Sequence, residues 1–169
     1  MDIELVHEDE MAEGERQALD GWLGEEFGHL PYEWAPRPWR LLARDDDGAI
    51  VGHVGLLVRA VTAGGTPVPV GGVGGVVVRP ERRGKGVASA LLARAEEEMR
   101  ERFGAPFGLL LCRAEVAPVY QRAGWRIVAG PTVFAQAAGT ETYPRLTMVL
   151  ALAGGRWPPG AVDLCGLPW

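Results

Sequence analysis

The stretch Gly71–Met99, GGVGGVVVRPERRGKGVASALLARAEEEM, decides the fold. Its apolar segment Val73–Val78 predicts a buried β-strand, and the basic, glycine-containing loop Arg82–Gly86 follows that strand. A helix is predicted from about Gly86 to Phe103, because apolar residues recur at helical spacing. These residues are Val87, Leu91, Ala95, Met99 and Phe103. The run therefore predicts a strand, a tight loop and a long helix in direct succession.

The loop has the chemistry of an anion site. The first N–H groups of a helix have no partner within the helix, and the helix dipole favours negative charge at that end. Gly84 and Gly86 allow close backbone approach, while Arg82, Arg83 and Lys85 add positive charge. Neither the GxxxxGK[ST] spacing of triphosphate sites nor the GxGxxG spacing of dinucleotide folds is present. A pyrophosphate would suit this loop, and the alternative that the residues leave open is a solvated turn with a helix cap.

The segments before the loop predict an antiparallel meander. A first strand, Ile3–His7, is followed by a helix, Met11–Phe27. Two strands, Trp39–Arg44 and Ala49–Val61, flank a DDDG turn, and a third strand covers Val68–Val78.

The segments after the long helix complete a mixed sheet. They comprise a strand at Gly108–Cys112, a short helix at Val116–Ala123, and strands at Trp125–Phe134 and Leu146–Leu152. The predicted fold class is α/β (α+β), with about seven mostly antiparallel strands and helices on both faces. We expect one domain over residues 1–169, with residues 155–169 forming a C-terminal tail.

Composition limits the classes of function. The chain has 169 residues, 47% of them hydrophobic, a net charge of −5 and a pI near 5.2. That charge argues against a nucleic-acid partner, and neither a signal peptide nor a membrane-spanning apolar run is recognisable. Cys112 and Cys165 are too few and too far apart for a zinc site or a disulfide framework. We expect a cytoplasmic protein with no metal and no membrane partner.

The loop also carries a family motif. Arg83, Gly86 and Ala88 match the pattern [QR]-x-x-G-x-[GA], which resembles the acyl-CoA motif of GNAT acetyltransferases. The resemblance implies a GNAT fold with a V-shaped cleft, acetyl-CoA as co-substrate, and N-acetyltransferase activity without a metal. It also implies that the pantetheine arm inserts between Val76–Val78 and the Leu110–Arg113 region. The cofactor-binding residues implied are Val76, Val77, Val78, Arg83, Gly84, Lys85, Gly86, Val87, Ala88 and Ala117.

The short helix VAPVYQRAGW is similar to the family segment in which a tyrosine lies near the sulfur of CoA, and Tyr120 holds that position. Its hydroxyl would protonate the leaving thiolate as a general acid. The alternative is a tyrosine that only packs its ring between helix and sheet.

Three stretches are similar to the aminoglycoside 2′-N-acetyltransferase branch and the related nodulation N-acyltransferases. They are AIVGHVGLLVR at 49–59, APFG at 105–108 and WPPGAVDLCGLPW at 157–169. In that branch the terminal tryptophan brings its own α-carboxylate into the active site, which implies this role for Trp169. The branch also has a glutamate on the strand before the loop, where this sequence has Gly74 and Gly75.

The general base must therefore come from elsewhere. Candidates are Glu33, His53, Glu115 and the Trp169 carboxylate. Glu33 and Trp169 rank first, because the aromatic segment PYEW and the tail would jointly wall a pocket, and with Tyr120 they form the predicted catalytic set. Cys112 lacks a recognisable histidine partner, so direct transfer in a ternary complex is preferred over an acyl-cysteine.

We therefore predict an acetyl-CoA-dependent N-acetyltransferase whose partner is a small-molecule primary amine, with amino sugars and aminoglycoside-like compounds among the candidates. Two alternatives remain open. One is a non-catalytic CoA-binding regulatory module, and the other is an acetyltransferase for protein N-termini or lysines. Assembly as a homodimer is also left open.

Overall fold

The computed structural model describes residues 1–169 and contains a ten-stranded mixed sheet with three α-helices. The strands are β1 (Asp2–His7), β2 (Trp39–Arg44), β3 (Ile50–Ala63), β4 (Thr66–Val78), β5 (Phe107–Cys112), β6 (Arg126–Ile127), β7 (Thr132–Gln136), β8 (Gly139–Thr142), β9 (Leu146–Ala151) and β10 (Val162–Asp163). The helices are α1 (Glu13–Phe27), α2 (Val87–Glu97) and α3 (Ala117–Arg122). None of the helices has the length and apolar character needed to span a membrane.

The first four strands form the predicted antiparallel meander. β1 pairs with β2, β2 with the first half of β3, and β3 with β4, all antiparallel. The DDDG turn closes the β2–β3 hairpin, where the Gly48 amide donates to the Asp45 carbonyl at 2.9 Å.

The second half of the chain adds strands on both sides of this meander. β4 pairs in parallel with β5, and β5 continues antiparallel into β9 and then β6. On the other side, the end of β3 pairs with β10, which is parallel to β7, and β7 forms a hairpin with β8. The resulting order is β6-β9-β5-β4-β3-β10-β7-β8, with β2 and β1 attached to the start of β3.

The sheet has more strands than the seven expected from the sequence. The predicted strand Trp125–Phe134 is two strands, β6 and β7, because Gly130 (φ +93°) and Pro131 interrupt it. β8 and β10 were not predicted, since they contain only four and two residues and depend on distant partners. The predicted helix Gly86–Phe103 is α-helical only to Glu97 and continues as a π-helical turn, Glu98–Arg102.

Both faces of the sheet are covered. α2 lies on one face, where Leu91 and Met99 are fully buried against Leu41, Leu56 and Leu110. On the other face, α1 packs its buried residues Leu19, Trp22 and Leu23 against β2 and β4. The C-terminal tail covers the rest of that second face and buries Leu164 and Trp169. The predicted mixed sheet with helices on both faces is therefore present.

The π-helical turn that continues α2 lies close to the sheet because two directly paired strand residues are glycines. Gly71 of β4 and Gly108 of β5 face each other in the parallel ladder. A Cβ at Gly108 would lie 2.8 Å from Trp125 Cη2 and 3.1 Å from Met99 Cε, both of which belong to buried side chains. Side chains at these two positions would push the helix away.

We expect Gly108→Ala to lower the free energy of unfolding by about 1–3 kcal/mol, the usual range for an overpacked core. A matched control is Gly21→Ala on the exposed face of α1, where a Cβ meets nothing within 4 Å. The control should raise stability by about 0.5–1 kcal/mol, because alanine is the better helix former. Urea unfolding measures both changes, and equal midpoints for the two variants would contradict the packing described.

Candidate active site

β4 and β5 are hydrogen-bonded over only part of their length. The parallel pairing runs from Val70–Phe107 to Val73–Leu110. β4 then continues to Val78 and β5 to Cys112 without pairing to each other. The two strand ends therefore leave a wedge-shaped gap in the middle of the sheet.

A β-bulge in β4 begins where this pairing ends. Gly74 pairs with Gly55 and Val77 pairs with His53, which leaves Gly75 and Val76 opposite the single residue Val54. Gly75 has φ +59°, a conformation that glycine adopts without strain. A bulge of this kind bends its strand, which directs the end of β4 away from β5.

His53 supports the bulge from within the sheet. Its Nδ1 lies 2.7 Å from the Gly75 carbonyl, which only accepts, so Nδ1 carries the proton and donates. The side chain is fully buried, and burial lowers the pKa of His53 to about 3 despite this bond. His53 is therefore a neutral, fixed donor at physiological pH.

The gap opens into a cavity of about 680 Å³. Its walls come from the end of α1, the segment between α1 and β2, the unpaired ends of β4 and β5, α3, and the final residue. The lining includes Phe27, His29, Leu30, Tyr32, Trp34, Arg37, Gly74, Val76, Val77, Val78, Arg83, Ala88, Cys112, Arg113, Tyr120, Tyr143, Arg145 and Trp169.

The N-terminus of α2 stands at one end of this cavity. Gly86 is the N-cap in a left-handed conformation (φ +81°), and no side chain caps the helix. The first helical bond runs from the Ala90 amide to the Gly86 carbonyl, so the amides of residues 87–89 have no helical acceptor. These free donors and the helix dipole form the anion site expected from the sequence.

The loop arginines are partly engaged. Arg82 pairs with Asp45 at 2.7 Å, and Arg83 pairs with Glu26 of α1 at 3.4 Å. Arg83 also donates through Nε to the Val78 carbonyl at 3.0 Å, which fixes the loop to the end of β4. Lys85 is exposed and forms no ion pair.

The residues predicted to hold the co-substrate divide into two groups. Val76, Val77, Val78, Arg83 and Ala88 line the cavity. The other five do not line it. Gly84, Lys85, Gly86 and Val87 form the adjoining loop and first helical turn, and Ala117 is buried in the core at the start of α3.

Tyr120 lies on the cavity wall. Its ring packs edge-on against Trp125, with 6.4 Å between centroids, and its hydroxyl forms no hydrogen bond to protein. Burial, with smaller contributions from Cys112 and Tyr143, raises the pKa of Tyr120 well above its usual value. The hydroxyl therefore stays protonated, as a proton donor must.

Cys112 also lines the cavity, but its thiol is not activated. Burial raises the pKa of Cys112 to about 11, and Sγ lies 3.6 Å from Met148 Sδ. Thiolates rather than thiols act as nucleophiles, so this environment disfavours an acyl-cysteine.

Trp169 occupies the floor of the cavity, on the sheet face opposite α2. Its indole packs on Gly72, where an added Cβ would lie 2.7 Å from the ring. Its main-chain carbonyl carbon lies over Gly74 and would be 2.9 Å from a Cβ added there. The indole Nε1 donates to the Leu109 carbonyl at 3.3 Å, and the Pro168 carbonyl accepts from the Ala35 amide at 2.7 Å. The position where the related branch has a glutamate is thus filled by the chain's last residue.

The four candidates for the general base lie in different parts of the structure. Trp169 lines the cavity, whereas His53 is sealed within the sheet. Glu115 is exposed beside α3, outside the cavity lining. Glu33 is also exposed. Its backbone amide donates to Oε1 of Gln136 at 2.9 Å, and the Glu33 carboxylate is not part of the cavity lining. The catalytic role of Glu33 stays a prediction.

Several cavity residues were not singled out from the sequence. Arg37 lies on the floor beside Trp169, and Tyr143 and Arg145 come from the segment between β8 and β9. The composition of GHLPYEWAPR indicated a pocket wall, but no spacing distinguishes Arg37 from other surface arginines. Tyr143 and Arg145 reach the cavity only through the unpredicted β7–β8 hairpin.

The fold recurs in solved acetyltransferases. A GNAT family acetyltransferase from Brucella melitensis, solved in complex with acetyl-CoA, superposes with a TM-score of 0.57 at 20% identity. The match covers 95% of this chain and 94% of that one.

Sequence comparison finds relatives in the predicted branch. An aminoglycoside 2′-N-acetyltransferase from Mycolicibacterium fortuitum is 30% identical over 97 residues, which are 57% of this chain and 49% of that protein. The match therefore spans about half the length of that relative. A nodulation protein A from Bradyrhizobium elkanii is 24% identical over 159 residues, covering 80% of this chain and 73% of that protein.

A family model described as an acetyltransferase (GNAT) domain matches residues 25–128, more than half of the chain. This range includes the bulged strand β4, the loop before α2 and the whole of α3. The predicted resemblance and fold class are confirmed, and the chain belongs to the GNAT family of N-acetyltransferases.

Proposed function

We propose that residues 1–169 form one acyltransferase domain that transfers the acetyl group of acetyl-CoA directly to a small primary amine in a ternary complex. One observation carries the proposal. A single cavity joins the free amides of α2, the unpaired ends of β4 and β5, the protonated Tyr120 hydroxyl and the carbonyl end of Trp169. A donor thioester and an acceptor amine can therefore meet within it.

The donor end has the groups that a diphosphate needs. The amides of residues 87–89, the dipole of α2 and the exposed Lys85 favour two adjacent phosphates. The bulge leaves the backbone of Val76 without a β5 partner, and that backbone borders the gap. An extended amide-containing arm would hydrogen-bond there as an added strand does. The thioester supplies the activated acyl group, and the protein supplies position and protons.

Tyr120 acts as the general acid in this proposal. Its raised pKa keeps the hydroxyl protonated at neutral pH, so a proton donor is in place when the C–S bond breaks and negative charge develops on the sulfur. The hydroxyl has no protein partner that would compete for this proton.

The Trp169 carboxylate acts as the general base. An amine attacks only when neutral, so a carboxylate beside it, directly or through water, would take the proton that the new amide nitrogen must lose. Trp169 is supported by its place over Gly74, whereas the Glu33 carboxylate is exposed outside the cavity lining. One proton thus leaves the nitrogen and one reaches the sulfur.

The acceptor side favours a small molecule over a protein substrate. Tyr32, Trp34, Tyr143 and Trp169 line it with aromatic rings, and Tyr32 packs edge-on against Trp34 with 5.7 Å between centroids. Aromatic walls with a few polar groups are typical of small-molecule pockets. The similarity to the aminoglycoside enzyme supports an amino sugar as the class of acceptor.

CoA binding tests the donor site. We expect CoA to bind the wild-type protein in calorimetry and Ala88→Glu to weaken that binding at least about tenfold, about 1.4 kcal/mol, because the new carboxylate would repel the diphosphate. A glutamate in the first turn does not harm a helix, so the fold should persist. Ala93→Glu, on the exposed part of α2, is the matched control. No heat with the wild-type protein would refute the donor site.

We expect Tyr120→Phe to lower kcat by about 10²–10⁴-fold, the usual contribution of a general acid, with little change in the KM for acetyl-CoA. Tyr143→Phe is the matched control, because Tyr143 lines the same cavity and has a pKa raised by burial to about 12. An acetyl thioester of a more acidic thiol should restore much of the rate of Y120F, since its thiolate leaves without a proton. Full activity of Y120F with acetyl-CoA would contradict the role.

Replacing the Trp169 carboxylate by a carboxamide through semisynthesis removes the charge and adds no bulk. We expect kcat/KM for the amine to fall about 10²-fold, while CoA affinity stays unchanged. Trp169→Phe, which keeps a terminal carboxylate, separates this effect from packing. Intact mass establishes that both proteins end at residue 169. An amidated protein as active as the acid form would exclude the carboxylate as base.

A further inference from the structure

The acceptor side of the cavity contains an excess of positive charge. Arg37 lies on its floor, and Arg113 and Arg145 stand at its rim. The only side-chain carboxylate in the lining is Glu26, which pairs with Arg83 at the donor end. None of the three acceptor-side arginines forms an ion pair, although most arginines elsewhere in the protein do.

Arg37 is the most unusual of the three. Its side chain crosses over three glycines. A Cβ added at Gly55 would lie 2.8 Å from Nε, and one added at Gly74 would lie 3.1 Å from Cδ. A Cβ added at Gly75 would lie 3.5 Å from Nη2. A Cβ at Gly55 would collide with this side chain and a Cβ at Gly74 would crowd it, so these two glycines make room for Arg37 on the cavity floor.

No side-chain carboxylate of the protein pairs with this guanidinium. Its Nε is buried without a hydrogen bond, whereas the neighbouring Arg40 pairs with Glu8 at 3.3 Å and with Asp20 at 3.2 Å. Burial, and to a smaller extent the charge of Arg40, lowers the pKa of Arg37 to about 10, so it remains cationic at neutral pH. A buried cation without an anion is costly, which makes the site favourable for an anionic ligand.

Arg113 and Arg145 act on the same region from the rim. Arg113 follows β5, and Arg145 precedes β9. Both line the same cavity as Tyr143, and both charges work against the burial that raises the pKa of Tyr143. They are exposed and unpaired, which suits attraction of an incoming anion more than tight binding.

Two other anions fail to account for these charges. The diphosphate of the donor belongs at the N-terminus of α2, where Arg83 and Lys85 stand. The carboxylate at Trp169 lies near Arg37, but it balances at most one of the three guanidinium groups. A polycationic acceptor would meet like charge at both the floor and the rim.

We propose that the acceptor is an amine that carries its own acidic group, a carboxylate or a phosphate, and that Arg37 binds this group on the cavity floor. A guanidinium offers two parallel N–H donors to either oxyanion, and Arg113 and Arg145 draw the anion into the cavity. The proposal rests on the transferase function above and defines the class of its substrate.

Binding of simple anions tests the site without knowledge of the substrate. With CoA saturating the donor end, inorganic phosphate and acetate are titrated separately at constant ionic strength, and Tm is followed. We expect at least one anion to raise Tm in a saturable manner in the wild-type protein and not in Arg37→Gln. Arg156→Gln, which removes an exposed arginine outside the cavity lining, should behave as wild type. An equal response from R37Q, or no saturable response to either anion, would overturn the proposal.

Turnover of matched amines tests the same proposal and shows whether the acidic group of the acceptor is a carboxylate or a phosphate. The pairs are glucosamine 6-phosphate with glucosamine, and alanine with alaninamide, and kanamycin serves as the polycation. We expect the acidic member of one pair to have at least about tenfold higher kcat/KM, and R37Q to remove that preference by lowering turnover of the acidic member much more than that of the neutral one.

Two outcomes of this comparison have different meanings. If the neutral amines or kanamycin are acetylated as well as the acidic ones, or if R37Q lowers both members of a pair equally, the assignment of Arg37 is wrong and the transferase proposal stands. If CoA fails to bind in calorimetry, the transferase proposal itself fails. R37Q should keep the wild-type affinity for CoA, because Arg37 lies apart from the diphosphate loop.

Discussion

The hydrogen bond from His53 to the Gly75 carbonyl holds the site open. It fixes the bulge at the point where β4 loses its partner, and both the donor gap and the cavity beyond it depend on that separation. A neutral, fully buried donor suits this task, because no change of charge within the physiological pH range disturbs it. One extra residue in a central strand is therefore enough to open a cleft between β4 and β5.

The second constraint is the row of small residues on the cavity floor. Gly72 and Gly74 face the same side of β4, and the space above them contains the indole and carbonyl of Trp169. A glutamate at residue 74 would collide with both Trp169 and Arg37. The absence of that side chain is thus structurally coupled to the docking of the tail, and the charge on this part of the floor comes from Arg37.

Local patterns in the sequence were sufficient to predict the strand, the loop and the helix that form the proposed donor site. The strand before the loop, the glycines within it and the periodic face of α2 are short-range signals, and the order of the first four strands followed from turn residues. The short strands β8 and β10 were beyond such reasoning, because pairing with distant partners rather than propensity creates them. The segment around Glu33 lines the pocket as its composition indicated, but contiguity in sequence does not show that the Glu33 carboxylate itself is exposed. Arg37 and Trp169 meet over Gly74 although 132 positions separate them, so no local pattern could join them.

Four glycines in β4, at residues 71, 72, 74 and 75, also bear on how the protein folds. Glycine within a strand costs about 0.5–1 kcal/mol relative to alanine through lost chain entropy, so this central strand has little intrinsic tendency to form. Met99 on one face and Trp169 and Arg37 on the other occupy the space that the missing side chains leave. The stability of the sheet centre therefore rests on contacts from residues that lie far from β4 in the sequence.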